Sequence, residues 1–263
     1  MRELENKVAL VTGASRGIGR AISIALAQEG AQLILTGRDL TALNETAQII
    51  ADLQCGPAAC VSHMDVLNST EIQRCVNSSI EIYGHIDILV NNSGVTGKSA
   101  PMWELTESEW DDCMDTNLKG AFLVTKAVIP TMIDRTSGSI IFIGSITGKR
   151  PLANRSVYAA SKLGMVGMMR TLALELGRHG VRVNHISPGF VEGQRLDGVI
   201  AQVASRESLS PEEMNAKWQE MIPTGKFVSP ENIAQGVLFF ASERSGGTTG
   251  EDLNISGGLV MYS

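Results

Sequence analysis

Tyr158 and Lys162 stand four residues apart in Tyr158-Ala159-Ala160-Ser161-Lys162, a spacing that sets a phenol and an ammonium on one face of a helix. A free phenol ionises near pH ~10 and is a poor acid–base group at neutrality. A cation beside it stabilises the phenolate and makes its proton movable, which is the chemistry of a general acid or base. A Tyr–Lys pair alone is an ordinary surface feature. This one gains weight from Ser145 at the end of one apolar run and Asn91-Asn92-Ser93-Gly94 at the end of another.

A third feature lies near the N-terminus, in Thr12-Gly13-Ala14-Ser15-Arg16-Gly17-Ile18-Gly19. Glycines between a strand and a helix let the backbone turn sharply and approach a pyrophosphate, whose charge meets the free N–H groups of the helix start. The spacing is Gly-x-x-x-Gly-x-Gly, and it lacks the Gly-Lys-Ser/Thr ending of an ATP-type phosphate loop. The bland alternative is a tight turn with no ligand. Two guanidiniums, Arg16 and Arg38, are placed to bracket a ribose 2′-phosphate. Asp39, twenty residues past Gly19, is the competing acid that would select NAD, but it sits late for that role. The expectation is NADP(H) preferred over NAD(H).

These groups need a frame. Apolar runs at Lys7–Thr12, Gln32–Thr36, Ala58–His63, Ile86–Val90, Ser139–Ile143, Val181–Ile186 and Leu253–Ile255 read as strands. Helical patterns lie between them at Arg20–Glu29, Thr41–Leu53, Asn68–Tyr83, Glu107–Arg135 (one long helix or two close ones), Tyr158–Leu176 and Pro230–Ala241, and Pro130 marks a kink or late turn. Strands without polar alternation, separated by helices, predict an α/β fold: one Rossmann-type domain over residues 1–263 with a doubly wound parallel sheet. Residues 192–224 break the rhythm. That stretch is charged, carries Pro211 and Pro223, and is expected to be a helical excursion over the site.

Composition is that of a globular chain rather than a disordered one. Hydrophobic residues make up 43% and charged residues 19%, and 22 Lys+Arg against 28 Asp+Glu give −6, which argues against a general nucleic-acid surface. Cys55, Cys60, Cys75 and Cys113 match no metal or disulfide pattern and read as reduced thiols, so neither metal nor bridge is expected. The first residues show no signal-peptide pattern, and no apolar run reaches membrane length. Cytoplasmic residence with no membrane partner is the expectation.

The ordered set Thr12–Gly19, Asp65-Val66, Asn91–Gly94, Asn117, Ser145, Tyr158-x-x-x-Lys162, Asn184, Pro188-Gly189 and Gly257-Gly258 resembles the short-chain dehydrogenase/reductase family over nearly the whole chain. The likeness is to the subgroup holding 3-oxoacyl-carrier-protein reductases and many sugar, steroid and small-carbonyl dehydrogenases. The resemblance implies hydride transfer without a metal. Tyr158 would give or take the proton, Ser145 would hydrogen-bond the substrate oxygen, and Lys162 would bind the nicotinamide ribose and stabilise the Tyr158 phenolate. Asn117 would hold a relay water through its helix. Gly13, Ser15, Arg16, Gly17, Ile18, Gly19 and Arg38 would hold the phosphates and adenosine, and Asp65 and Val66 the adenine. Asn91 and Gly94 would flank the cofactor, and Pro188, Gly189 and Val191 would line the nicotinamide. Homotetramers or homodimers, built through the Tyr158 helix and the one around Asn117, are also implied. Met165, Met168 and Met169 on the former read as core or interface.

Two positions depart from the family pattern. Ser93 replaces the usual alanine, a small change. Gly193 stands near a threonine whose hydroxyl commonly reaches the cofactor, so the excursion is expected to start with a different or looser contact. Substrate contacts are expected from Ser145, Asn154, Arg155, Tyr158, Phe190, Glu192 and Arg195. Lys98, Lys149, Arg150 and Arg155 make the neighbourhood basic, which suits a small-molecule substrate bearing a carboxylate, sulfonate or phosphate. The plainer alternative is a solvated loop whose charges pair with surface acids. Rival functions are an NAD(H)-preferring dehydrogenase of a sugar or hydroxy acid, an epimerase or dehydratase, and a dinucleotide-sensing regulatory protein without chemistry.

Overall fold

The computed structural model describes residues 2–54 and 56–262. Cys55 falls outside the described residues; Cys60, Cys75 and Cys113 are unbridged. Seven parallel strands run β1 (Val8–Thr12), β2 (Gln32–Gly37), β3 (Cys60–His63), β4 (Ile88–Asn91), β5 (Gly138–Ile143), β6 (Val181–Pro188) and β7 (Asp252–Ile255). Their order across the sheet is β3-β2-β1-β4-β5-β6-β7. The order reverses between β1 and β4, and at such a switch point the following turns diverge and leave a crevice beyond the strands' carboxyl ends.

Successive residues of one strand point to opposite faces, and both faces are apolar. Ala9 and Val11 of β1 join a core with α1 (Gly17–Gln28), α2 (Leu40–Asp52) and α9 (Pro230–Ala241), to which Ile22, Leu43 and Val237 contribute. Val8 and Leu10 join a core on the other face with α3 (Ser69–Tyr83), α5 (Gly120–Asp134) and α6 (Ser156–Leu176). Two-sided burial is why these strands read as continuous apolar runs. Met165 and Met169 sit in the second core, with Met168 packed against it.

The stretch 107–135, readable as one long helix or two close ones, resolves into α4 (Glu107–Met114), a π-helical turn at Asp115–Lys119, and α5. The irregularity lies there, around Asn117, rather than at Pro130. α5 carries Pro130 near its end, where the helix runs only four residues further. Within 192–224 lie α7 (Gln194–Glu207) and α8 (Pro211–Glu220), which share a small apolar cluster of Leu196, Ile200, Ala204, Met214 and Trp218. No helix among the described residues is long and apolar enough to cross a membrane.

Candidate active site

A cleft of about 1580 Å³ opens over the carboxyl ends of the strands, from the glycine turn at one end to α7 and α8 at the other. At the first end the chain turns through Gly13, with φ +65°. A Cβ on Gly19 would lie 2.1 Å from the Gly13 carbonyl oxygen, so the helix can start this close to the turn only with glycine there. The first turn of α1 has no side-chain cap and no acidic residue, which leaves its N–H groups open to an anion. Gly13, Ser15, Arg16, Gly17, Ile18 and Gly19 line this end with Arg38, Asp65 and Val66.

Asp39 lines the cleft beside Arg38, with one carboxylate oxygen already engaged. Its carboxylate caps α2, accepting from the Ala42 N–H at 3.1 Å. Arg20 is likewise occupied, pairing with Glu45 at 3.0 Å and donating to the Ser15 carbonyl at 2.7 Å. Arg16 and Arg38 form no ion pair among the described residues. A cleft with uncapped helix N–H groups at one end and two unpaired guanidiniums beside it fits a dinucleotide, phosphate end first.

The other end is built on β5 and α6. Ser145 follows β5 and caps a short 3-10 turn at Ile146–Gly148, its Oγ accepting from the Thr147 N–H and donating to Thr147 Oγ1, both at 3.1 Å. Tyr158 and Lys162 lie one turn apart on α6, with Lys162 Nζ 5.8 Å from the phenol ring centre. Lys162 is buried, and its ammonium donates to the Ile143 carbonyl at 3.0 Å. Burial first, and the Arg195 charge second, push this amine down to about 7, with Cys113 acting weakly the other way. Arg155 lies with its guanidinium carbon 4.6 Å from the Tyr158 ring centre, a cation over a π face. Burial also pushes Arg155 below its usual value, opposed by Tyr158 and Cys113.

Several expected residues support the cleft from behind. Asn117 is fully buried in the π-helical turn. Its side chain ties the segment after β4 to α6, accepting from the Val95 N–H at 2.7 Å and donating to the Val95 carbonyl and Ser161 Oγ, both at 3.0 Å. Irregular turns of this kind recur where a helix serves a site. Asn91 is buried and donates to Thr125 Oγ1 at 2.8 Å, while Pro188 closes β6 opposite Ile255. Gly94, Gly189 and Val191 line the cleft directly.

The substrate end gathers Asn154, Arg155, Phe190, Glu192 and Arg195. Phe190 is largely committed to packing, stacked on Trp218 at 4.5 Å and edge-on to Phe227 at 6.1 Å. Arg195 reaches back from α7 to the Gly94 carbonyl at 3.0 Å. Two of the basic residues leave the neighbourhood: Lys98 pairs with Glu109 at 2.6 Å, and Lys149 turns under the sheet edge. Gly193 has φ +125°, a conformation open to glycine and strained for threonine, so the missing hydroxyl follows from how the chain enters α7. Arg206 was invisible in the sequence pattern. It lines the cleft and anchors α7 by donating to the Ser99 carbonyl and hydroxyl, and only the helical spacing from Arg195 could have hinted at it.

The sequence profile described as short chain dehydrogenase matches residues 7–215. A 3-oxoacyl-acyl-carrier-protein reductase of Thermotoga maritima is 37% identical over 98% of this chain and 99% of its own. A galactitol 2-dehydrogenase of Agrobacterium fabrum is 38% identical, again over 98% and 99%. Among solved structures, a variant actinorhodin polyketide ketoreductase with NADPH superposes at TM-score 0.93 with 35% identity, covering 97% of this chain and 98% of that one.

Proposed function

The chain belongs to the short-chain dehydrogenase family and is an NAD(P)-dependent oxidoreductase, and from that premise we propose that it interconverts an anionic carbonyl compound and its secondary alcohol, with NADP(H) as the preferred cofactor. When bound, the nicotinamide supplies or takes the hydride. Tyr158 gives the proton to the carbonyl oxygen in reduction and recovers it in oxidation, while Ser145 Oγ donates a hydrogen bond to the same oxygen. Lys162 keeps a positive group on the Tyr158 face of α6. Asn117 holds the segment after β4 against α6 so that these groups keep their spacing.

The observation that carries the cofactor preference is that Arg16 and Arg38 line the cleft without an ion pair among the described residues, while Asp39, which lines it too, has one carboxylate oxygen engaged in capping α2. The anionic substrate rests on Arg155 and Arg195, which face the cleft without a carboxylate partner among the described residues. A planar guanidinium offers directed donors to a carboxylate, sulfonate or phosphate. Exposed Phe122 on α5 and Leu163 on α6 support assembly of subunits through those helices. The galactitol dehydrogenase relative favours a second reading, an NAD(H)-linked polyol dehydrogenase.

One experiment separates the readings: NADPH and NADH consumption with 2-oxobutanoate, its methyl ester, an acetoacetyl thioester and a ketose. The proposal expects NADPH and the keto acid to be fastest. Arg155→Ala should cut the keto-acid over ester preference by about 10-fold or more, the worth of a hydrogen bond to a charged group. An unchanged preference overturns the anionic substrate, and NADH with ketose as the fastest pair installs the second reading.

A further inference from the structure

Asp252, at the start of β7, is the hub of a buried polar cluster that the chemistry above does not use. Its Oδ1 accepts from His185 Nδ1 at 2.8 Å and from Ser187 Oγ at 2.8 Å, and its Oδ2 lies 2.8 Å from Lys149 Nζ. Lys149 Nζ also donates to Asn254 Oδ1 at 2.6 Å. The Lys149 side chain is 5% exposed, and those of His185 and Asp252 are fully covered. Burial lowers the His185 pKa, so the ring is neutral and presents Nδ1–H to the carboxylate. Burial raises the Asp252 pKa, but the hydrogen bonds from His185 and Ser187 and the Lys149 ammonium outweigh it and hold the acid below the usual carboxylate range. One anion and one cation therefore sit opposed inside the protein. Apolar side chains of similar volume could fill such a place without loss of stability, so stability alone does not account for the arrangement.

The geometry of the partners does. Lys149 is four residues past Ser145 and ends the 3-10 turn that Ser145 begins, its N–H bonding the Ile146 carbonyl at 2.9 Å. His185 lies on the other flank. A Cβ on Gly144 would fall 2.0 Å from His185 Nε2, so the imidazole rests directly against the backbone that precedes Ser145. One carboxylate thus grips the residue after the turn and backs the residue before it. We propose that Asp252 is a positioning residue for Ser145, fixing the 144–149 turn through Lys149 and His185 so that Ser145 Oγ is held toward the substrate oxygen. The proposal rests on the reading of Ser145 as that oxygen's hydrogen-bond donor. Asp252 itself does not line the cleft.

The test is steady-state kinetics with NADPH and the fastest carbonyl compound of the panel above, on Asp252→Asn, Lys149→Met, Lys149→Arg, Ser145→Ala and the Asp252→Asn/Ser145→Ala double variant. Misplacing a reacting group by a fraction of an ångström to 1 Å costs up to about 100-fold, so Asp252→Asn and Lys149→Met are expected to lower kcat about 10–100-fold. KM for NADPH should stay within about 2-fold, and Lys149→Arg, which keeps the charge, should recover most of the rate. In the Ser145→Ala background, Asp252→Asn should add less than about 2-fold, because residues acting through one another are not additive. Wild-type kcat in folded Asp252→Asn and Lys149→Met, or the same loss with and without the Ser145 hydroxyl, overturns the positioning role alone. Wild-type kcat in Ser145→Ala overturns the catalytic reading and this proposal with it. Where Asp252→Asn does not fold, the contrast between Lys149→Met and Lys149→Arg decides.

Discussion

Two buried lysines flank the chemistry and are treated in opposite ways. Beneath Ser145, Lys149 meets the Asp252 carboxylate at 2.8 Å. Beneath Tyr158, Lys162 meets a carbonyl oxygen and the Met165 sulfur, and no carboxylate among the described residues. A buried ammonium with a carboxylate is settled by its own protein, whereas one without is poised for a ligand. The same division runs across the cleft. Arg20 and Lys98 are paired to Glu45 and Glu109, while Arg38, Arg155 and Arg195 face the space and form no ion pair among the described residues. Partnered cations belong to the scaffold and unpartnered ones to the site.

The sharpest way to break that division is at the proton. Tyr158→Phe keeps the ring under Arg155 and removes the oxygen, and a lost proton donor lowers kcat by about 10²–10⁴-fold. Lys162→Met should follow it more closely than Lys149→Met does. Purified Tyr158→Phe with near-wild-type kcat removes the role, and a greater loss from Lys149→Met than from Lys162→Met inverts the comparison.

A smaller effect separates the two arginines at the adenosine end. Arg38→Ala should raise KM for NADPH by about 10–100-fold, the worth of a hydrogen bond to a charged group, and leave KM for NADH nearly unchanged. Arg20→Ala, which loosens α1 from α2 and frees the Ser15 carbonyl, should disturb both cofactors alike. Equal effects of Arg38→Ala on the two cofactors remove the NADP(H) preference.

How much of this was legible in the residues follows the same line. The glycine turn, the uncapped α1 and the Tyr158–Lys162 pair depend on local spacing, so the sequence displays them. The parallel sheet was legible because both faces of every strand are buried, and apolar runs without alternation have few other meanings. What needed the structure was every choice between partners far apart in the chain. Lys149 and Arg155 look alike in one basic loop, yet Lys149 finds Asp252 103 residues later, whereas Arg155 lies over Tyr158. The π-helical turn at Asn117 has no composition signal at all, and the Asn117 bonds to Val95 and Ser161 join segments far apart in the chain.

The smallest effect is also the one that reads the comparison without catalysis, through the melting temperature of the ligand-free protein. Lys162 carries an amine pushed down to about 7 in the fold, against about 10.4 for a free lysine. Below pH 7 both folded and unfolded chains hold the proton, and the fold bears the full cost of burying an unpaired charge. As pH rises from 7 toward 10.4 the folded chain gives up its proton first, and that cost fades. Lys162→Met should therefore raise Tm by a few °C at pH 6, ~2–4 °C for each kcal/mol recovered in a chain approaching this size. The gain should shrink toward zero above about pH 10, where both forms of the wild type are neutral. Lys149→Met should do the reverse at pH 6, lowering Tm because it strands the Asp252 carboxylate in the interior. Parallel Tm shifts of one sign for the two variants would mean that both lysines are merely packed side chains, and the contrast between scaffold and site would have no energetic basis.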